Sequence, residues 1–159
     1  MLLAAGGSAA LLAGAFVFQA MGYAPCKMCI WQRWPHAVAL AFGLVALLAP
    51  ARLLALGGGL AALTTSGIGA YHAGVEYGWW PGPDSCTGSG EGLAGLSGAD
   101  LLSFETTERI VMCDEVAWAL GGISMAGWNA IFSLLLAIMW AVALRRGFGG
   151  PAQGAGGIA

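Results

Sequence analysis

Charge is what this chain has least of. Six Lys and Arg and eight Asp and Glu make up only 9% of its 159 residues, where a soluble domain carries roughly 25%. Too little charge to solvate a globule, combined with 58% hydrophobic residues and a mean hydropathy of +0.77, describes an integral membrane protein. The six cations are scattered and form no basic stripe, which excludes a nucleic-acid surface. The net charge of −2 adds nothing about partners. Internal repeats and a second domain are also lacking. Histidine is limited to His36 and His72, and cysteine to Cys26, Cys29, Cys86 and Cys113.

What is present in quantity is apolar run. Crossing the hydrocarbon core takes about 20 apolar residues, and four stretches meet or approach that length, at about 2–21, 30–49, 53–74 and 123–144. The first lacks a basic leading segment, and Gly22-Tyr23-Ala24-Pro25 is a poor cleavage site, so it reads as a retained helix and not a signal peptide. The second is short if counted from Pro35, whose missing N–H suits a first helical turn. It reaches crossing length only if Ile30 to Trp34 dip into the interface, bringing Arg33 and the neighbouring cysteines to headgroup depth. Pro50 would stop it. The expected fold is an all-α four-helix membrane bundle over 1–146, followed by a disordered Gly-rich tail over 147–159.

Arg52, Arg145 and Arg146 fall on one side of this arrangement, which the positive-inside rule makes cytoplasmic, against Lys27, Arg33 and Arg109 on the other. Both termini are then cytoplasmic, and both cysteine-bearing loops face outward. Trp31, Trp34, Trp79, Trp80, Trp118 and Trp128 gather near the expected outer ends as an interfacial belt, with Trp140 toward the inner side. Ser8, Gly14, Gly57, Gly58, Gly59, Ser66, Gly67 and Gly69 offer small surfaces for close helix approach.

Pro25-Cys26-Lys27-Met28-Cys29-Ile30-Trp31-Gln32-Arg33 places a Cys-x-x-Cys at the lip of a span. Two thiols at that spacing can close a small, easily reduced disulfide. Arg33 supplies a cation that can favour thiolate over thiol. Four cysteines allow three pairings; proximity favours Cys26 with Cys29, leaving Cys86 with Cys113. Loop-stapling disulfides explain the same count, and metal is not expected, since Cys86 and Cys113 do not form a second close pair. In the second loop, Tyr77 to Cys86 reads as a turn-rich, aromatic approach to an exposed cysteine, and Thr87 to Gly90 as flexible. Ala99 to Ala117 reads as a short surface helix. Glu76 reads as a solvated span end, and Asn129 as an interhelical hydrogen-bonding residue.

That Cys-x-x-Cys segment, the Trp80-Pro81-Gly82-Pro83-Asp84-Ser85-Cys86 run, Cys113-Asp114, Trp118 and Gly122 to Asn129 together resemble the DsbB family of bacterial disulfide-bond formation proteins. The resemblance covers almost the whole chain outside the tail. It implies inner-membrane residence and reoxidation of a DsbA-like periplasmic dithiol oxidase, with electrons passed to ubiquinone or menaquinone. By position, it implies that Cys86, bonded to Cys113, is attacked by the partner. Cys26 and Cys29 then reoxidise that pair, Cys29 faces the quinone, and Arg33 assists. His36 and His72 are candidates for hydrogen-bonding a quinone carbonyl or passing a proton. Gln32 stands where some members carry an acid. A vitamin K epoxide reductase-like enzyme is the nearest alternative, but its cysteine pairs come in the opposite order. A disulfide-stapled scaffold or carrier is the alternative outside enzymes.

Overall fold

The computed structural model describes residues 1–49, 51–87 and 111–148, except the side chains of Gly147 and Phe148. Within them lie four long helices: α1 (Leu2–Ala20), α2 (Lys27–Leu48), α3 (Arg52–Glu76) and α4 (Met125–Phe148). A two-stranded hairpin, β1 (Ala119–Leu120) with β2 (Ile123–Ser124), precedes α4. Helices α1, α3 and α4 are long and apolar enough to cross a membrane. Helix α2 is of similar length, 22 residues or about 33 Å at 1.5 Å per residue. Its outer half carries Lys27, Gln32, Arg33 and His36, which keeps it from being as continuously apolar as those three.

Local chemistry explains the ends. Cys26 caps α2, its sulfur accepting the Cys29 backbone N–H at 3.2 Å. The helix therefore begins eight residues before Pro35, which lies inside it and not in the first turn as expected; the missing N–H leaves the Trp31 carbonyl without its helical partner. Helix α3 closes at Gly78, whose φ of +69° lets Trp79 N–H return to the Gly74 carbonyl at 2.8 Å. In the hairpin, Gly121 and Gly122 take φ of +61° and +79°, the two positive angles that a two-residue turn of type I′ needs.

Helix α3 packs most extensively on α4 and then on α2, while α1 leans on α2 and α4. The inner half of the bundle is filled by Trp140, fully buried among Ala4, Ala5, Ala55, Ala62 and Ala137. Trp140 is thus a core residue: the indole lies against Gly58, where a Cβ would collide with it. Gly69 serves the same purpose further out, where a Cβ would sit 3.0 Å from the Ala126 carbonyl oxygen of α4. Outward-facing residues such as Leu53, Leu60 and Leu135 are exposed, as a lipid-facing surface requires.

Two sequence expectations change here. The described part of the surface helix, 111–117, is turn and irregular chain, and the rest of it lies outside the described residues. Span four is shorter at its outer end, because Ile123 and Ser124 pair with Leu120 and Ala119. Pro50, Gly88 to Gly90 and the tail beyond 148 also lie outside the described residues.

Candidate functional site

The outer end of the bundle brings all four cysteines together. Cys86 and Cys113 form a disulfide with Cα atoms 5.4 Å apart, and Cys113 N–H donates to the Cys86 carbonyl at 2.6 Å. Cys26 and Cys29 are free thiols with sulfurs 2.9 Å apart. Cys26, Met28, Cys86 and Cys113 form one buried cluster, with Cys29 and Val111 packed against it. Cys86 is only 7% exposed, which corrects the expectation of an exposed cysteine. The segment leading to it is pinned back onto α3, where Trp80 stacks on Tyr71 and donates its indole N–H to the Tyr71 carbonyl at 2.9 Å.

The cysteines of the inner pair are not equivalent. Cys26 is buried, with its sulfur 3.4 Å from His72 Nε2, and the ligand atoms of Cys26, His72 and Cys113 lie within 4.8 Å of one another. Its thiol is held down to about 4, chiefly by the hydrogen bond with Cys29; burial opposes this, and the His72 hydrogen bond adds to it. Cys29 instead lies on the wall of a cavity of about 370 Å³. Leu11, Ala15 and Phe18 of α1, Gln32, Arg33 and His36 of α2, Met125, Trp128, Asn129 and Phe132 of α4, and the Ala117 to Leu120 region complete much of that wall. The hairpin is anchored over this end by Tyr77, whose hydroxyl donates to the Gly122 carbonyl and accepts Ser124 N–H, and by Trp128 Nε1 donating to the Leu120 carbonyl.

Beneath the sulfurs runs a buried polar network whose hydrogen-bond directions can be read from its ends. Thr65 Oγ1 donates to the Gln32 carbonyl at 3.0 Å, so it can only accept from Asn129, which fixes the Asn129 amide nitrogen toward it at 3.2 Å. The same nitrogen donates to Gln32 Oε1 at 2.7 Å. Gln32 Nε2 then donates to the Met28 carbonyl at 3.3 Å and to His72 Nδ1 at 2.9 Å. Asn129 Oδ1 accepts from His36 Nε2 at 2.9 Å. Both histidines are therefore Nε2–H tautomers when neutral: His72 points its proton at Cys26, and His36 keeps a bare Nδ1. His36 Nδ1 and Arg33 Nε are buried without hydrogen-bond partners among the described residues, and both belong to cavity-lining side chains.

Of the candidates read from sequence, Cys29, Arg33 and His36 share the cavity, whereas His72 is outside its lining and belongs to the sulfur cluster. Arg33 turns toward α1, donating to Gln19 Oε1 at 2.8 Å and lying over the Phe16 ring. The groups that hold the Cys26 thiol down are Cys29 first and then His72, not Arg33. Cys26, His72 and Cys113 are close enough to suggest a metal cluster, but Cys113 is committed to its disulfide and offers no thiolate.

A family model described as Disulfide bond formation protein DsbB matches residues 1–143. The chain belongs to the DsbB family. It is similar to the Disulfide bond formation protein B of Polaromonas sp., with 31% identity over 150 residues covering 86% of this chain and 84% of the relative. The protein of that name from Verminephrobacter eiseniae is 32% identical over 155 residues, 91% of this chain and 84% of its own length. The Albidiferax ferrireducens protein of the same name is 32% identical over 146 residues, 84% and 79%. No solved structure matches. This DsbB-family chain is accordingly a multi-pass helical membrane protein of disulfide-bond formation.

Three features of this member's site escaped sequence reading. Glu76 is no solvated end: its side chain is 5% exposed, with Oε1 3.8 Å from His72 Nε2, a placement that the i, i+4 spacing on α3 could have suggested. The hairpin was signalled by Gly121-Gly122 between Leu120 and the β-branched Ile123. The bridging role of Gln32 had no local signal, since, apart from the Met28 carbonyl one turn back, its partners are 33 to 97 positions away.

Proposed function

We propose that this protein is a membrane thiol oxidase that reoxidises a DsbA-like periplasmic dithiol oxidase and passes the electrons to a membrane quinone, ubiquinone or menaquinone. The observation that carries this reading is the order of the sulfurs: the Cys86–Cys113 disulfide, then Cys26 beside Cys113, then Cys29 on the cavity wall. A partner thiolate attacking Cys86 displaces Cys113, and the partner's second thiolate then resolves the mixed disulfide, leaving two electrons on Cys86 and Cys113. Exchange with a Cys26–Cys29 disulfide moves those electrons inward and restores the outer disulfide.

The cavity suits a quinone head group. Its volume falls within the usual 300–1,000 Å³ of small-molecule sites, its wall is largely apolar, and Arg33 and His36 are among the polar residues that line it. Arg33 and His36 would hold the polar oxygens, beside Cys29. When bound, a quinone supplies a lipid-soluble acceptor for two electrons and two protons. The orientation proposed has Arg52, Arg145 and Arg146 cytoplasmic and both cysteine loops periplasmic, in the inner membrane.

The test is turnover by purified protein with a reduced DsbA-like dithiol and a soluble quinone. Quinone reduction should vanish in Cys29→Ala and in Cys86→Ala; unchanged turnover in either variant would overturn the relay.

A further inference from the structure

The surroundings of the two sulfur pairs differ most at His72. Its ring is buried and donates Nε2–H toward Cys26 Sγ at 3.4 Å, because Gln32 occupies Nδ1 as a donor. The other ionisable groups facing it are Cys29, behind Cys26, and Glu76, whose Oε1 at 3.8 Å is beyond hydrogen-bond reach. Cys113, also within 4.8 Å, is bonded to Cys86. A buried N–H aimed at a sulfur stabilises that sulfur as thiolate far more than as a disulfide atom.

We propose that His72 is a catalytic residue of the exchange between the two pairs, stabilising Cys26 as the departing thiolate and so making Cys26–Cys29 the stronger oxidant of the two disulfides. The proposal rests on the relay reading above. In the exchange, the Cys113 thiolate attacks Cys26 Sγ of the Cys26–Cys29 disulfide; that bond breaks, and Cys29 leaves with the electron pair and is protonated. The Cys86 thiolate then attacks Cys113, the Cys113–Cys26 bond breaks, and Cys26 leaves with its electron pair toward His72 Nε2–H. Two electrons have moved inward; one of the two thiol protons ends on Cys29, and the other is released to the outer water. A thiol of lower pKa leaves faster, and stabilising the reduced form of a pair raises its reduction potential. His72 thus acts on both the rate and the direction of transfer, while Gln32 is a positioning residue that holds the tautomer.

The test uses the full chain in nanodiscs, without quinone or partner, equilibrated in glutathione redox buffers, acid-quenched and alkylated so that peptide mass reports each pair separately. His72→Leu should disfavour reduction of Cys26–Cys29 by about tenfold or more, about 30 mV, and leave Cys86–Cys113 within about twofold. His72→Gln, which keeps an N–H donor near the Nε2 position, should recover most of the shift, and Gln32→Leu should give a smaller shift of the same sign. The proposal is overturned if the inner pair of both leucine variants stays within about twofold of wild type, if both pairs shift equally, or if His72→Gln matches His72→Leu. Gln32→Leu decides the matter if His72→Leu does not fold. Because no quinone or partner is present, failure here removes the role of His72 alone, whereas failure of the relay reading would appear in the turnover of Cys29→Ala and Cys86→Ala.

Discussion

Asn129 and Trp140 lie on the same helix, yet the bundle treats them in opposite ways. Around Trp140, space is filled by alanine and glycine, and a large indole is locked between small surfaces. Around Asn129, the same kind of helix packing encloses amides, hydroxyls and two imidazoles, with a cavity alongside. Buried polar groups cost free energy unless each finds a partner, so the outer half is held in one arrangement by a chain of donors and acceptors. The inner half is held by shape. One half therefore secures the fold, and the other presents sulfur, nitrogen and empty volume to a reactant.

This contrast can be broken most severely at the sulfurs. Cys29→Ala should reduce quinone turnover to background while the outer disulfide still forms and the fold is retained; steady-state quinone absorbance and peptide mapping of Cys86–Cys113 check both halves of the statement. Next in size, Arg33→Ala should raise the KM for a soluble quinone by roughly tenfold to a hundredfold, the worth of about one charge-assisted hydrogen bond, and raise that for the dithiol partner much less. Equal changes in the two KM values would reduce Arg33 to a helix anchor.

The inner half offers the converse. Gly58→Val should destabilise the protein by about 1–3 kcal/mol through overpacking against Trp140, with the redox equilibrium of each cysteine pair unchanged. A shifted inner-pair equilibrium would mean that the two halves are not separable. A last effect concerns pH. Cys26 is held down to about 4 from 9.0 in the folded reduced protein. A depressed folded value contributes stability that is fully present above the unfolded value and is lost as pH falls toward the folded one. The stability advantage of the reduced protein over Cys26→Ser should therefore be largest near pH 9 and shrink progressively toward pH 4, as read from melting temperatures. An advantage independent of pH would contradict the thiolate assignment.

Long apolar runs and the four cysteines made the bundle legible in sequence, because span length and cysteine spacing are local properties. Cys29, Arg33 and His36 recur at three- and four-residue intervals on one helix, the local signal behind their common place on the cavity wall. The assignment of His72 to sulfur and not to the cavity was not legible, nor was the burial of Cys86 or the Gln32 to Asn129 bridge. Each depends on which faces of α2, α3 and α4 meet, and on contacts between residues far apart in the chain. Trp140 was legible as an inner-side residue, but its full burial depends on the glycine that receives it.

The central claim is that electrons enter at Cys86–Cys113 and reach the cavity only through Cys26–Cys29. Acid-quenched single turnover in the absence of quinone, starting with both pairs oxidised and an excess of reduced partner, tests it directly. Peptide mass should show the outer pair reduced first and the inner pair following, with the inner pair remaining oxidised in Cys113→Ser. Reduction of the inner pair at an undiminished rate in Cys113→Ser would contradict the account.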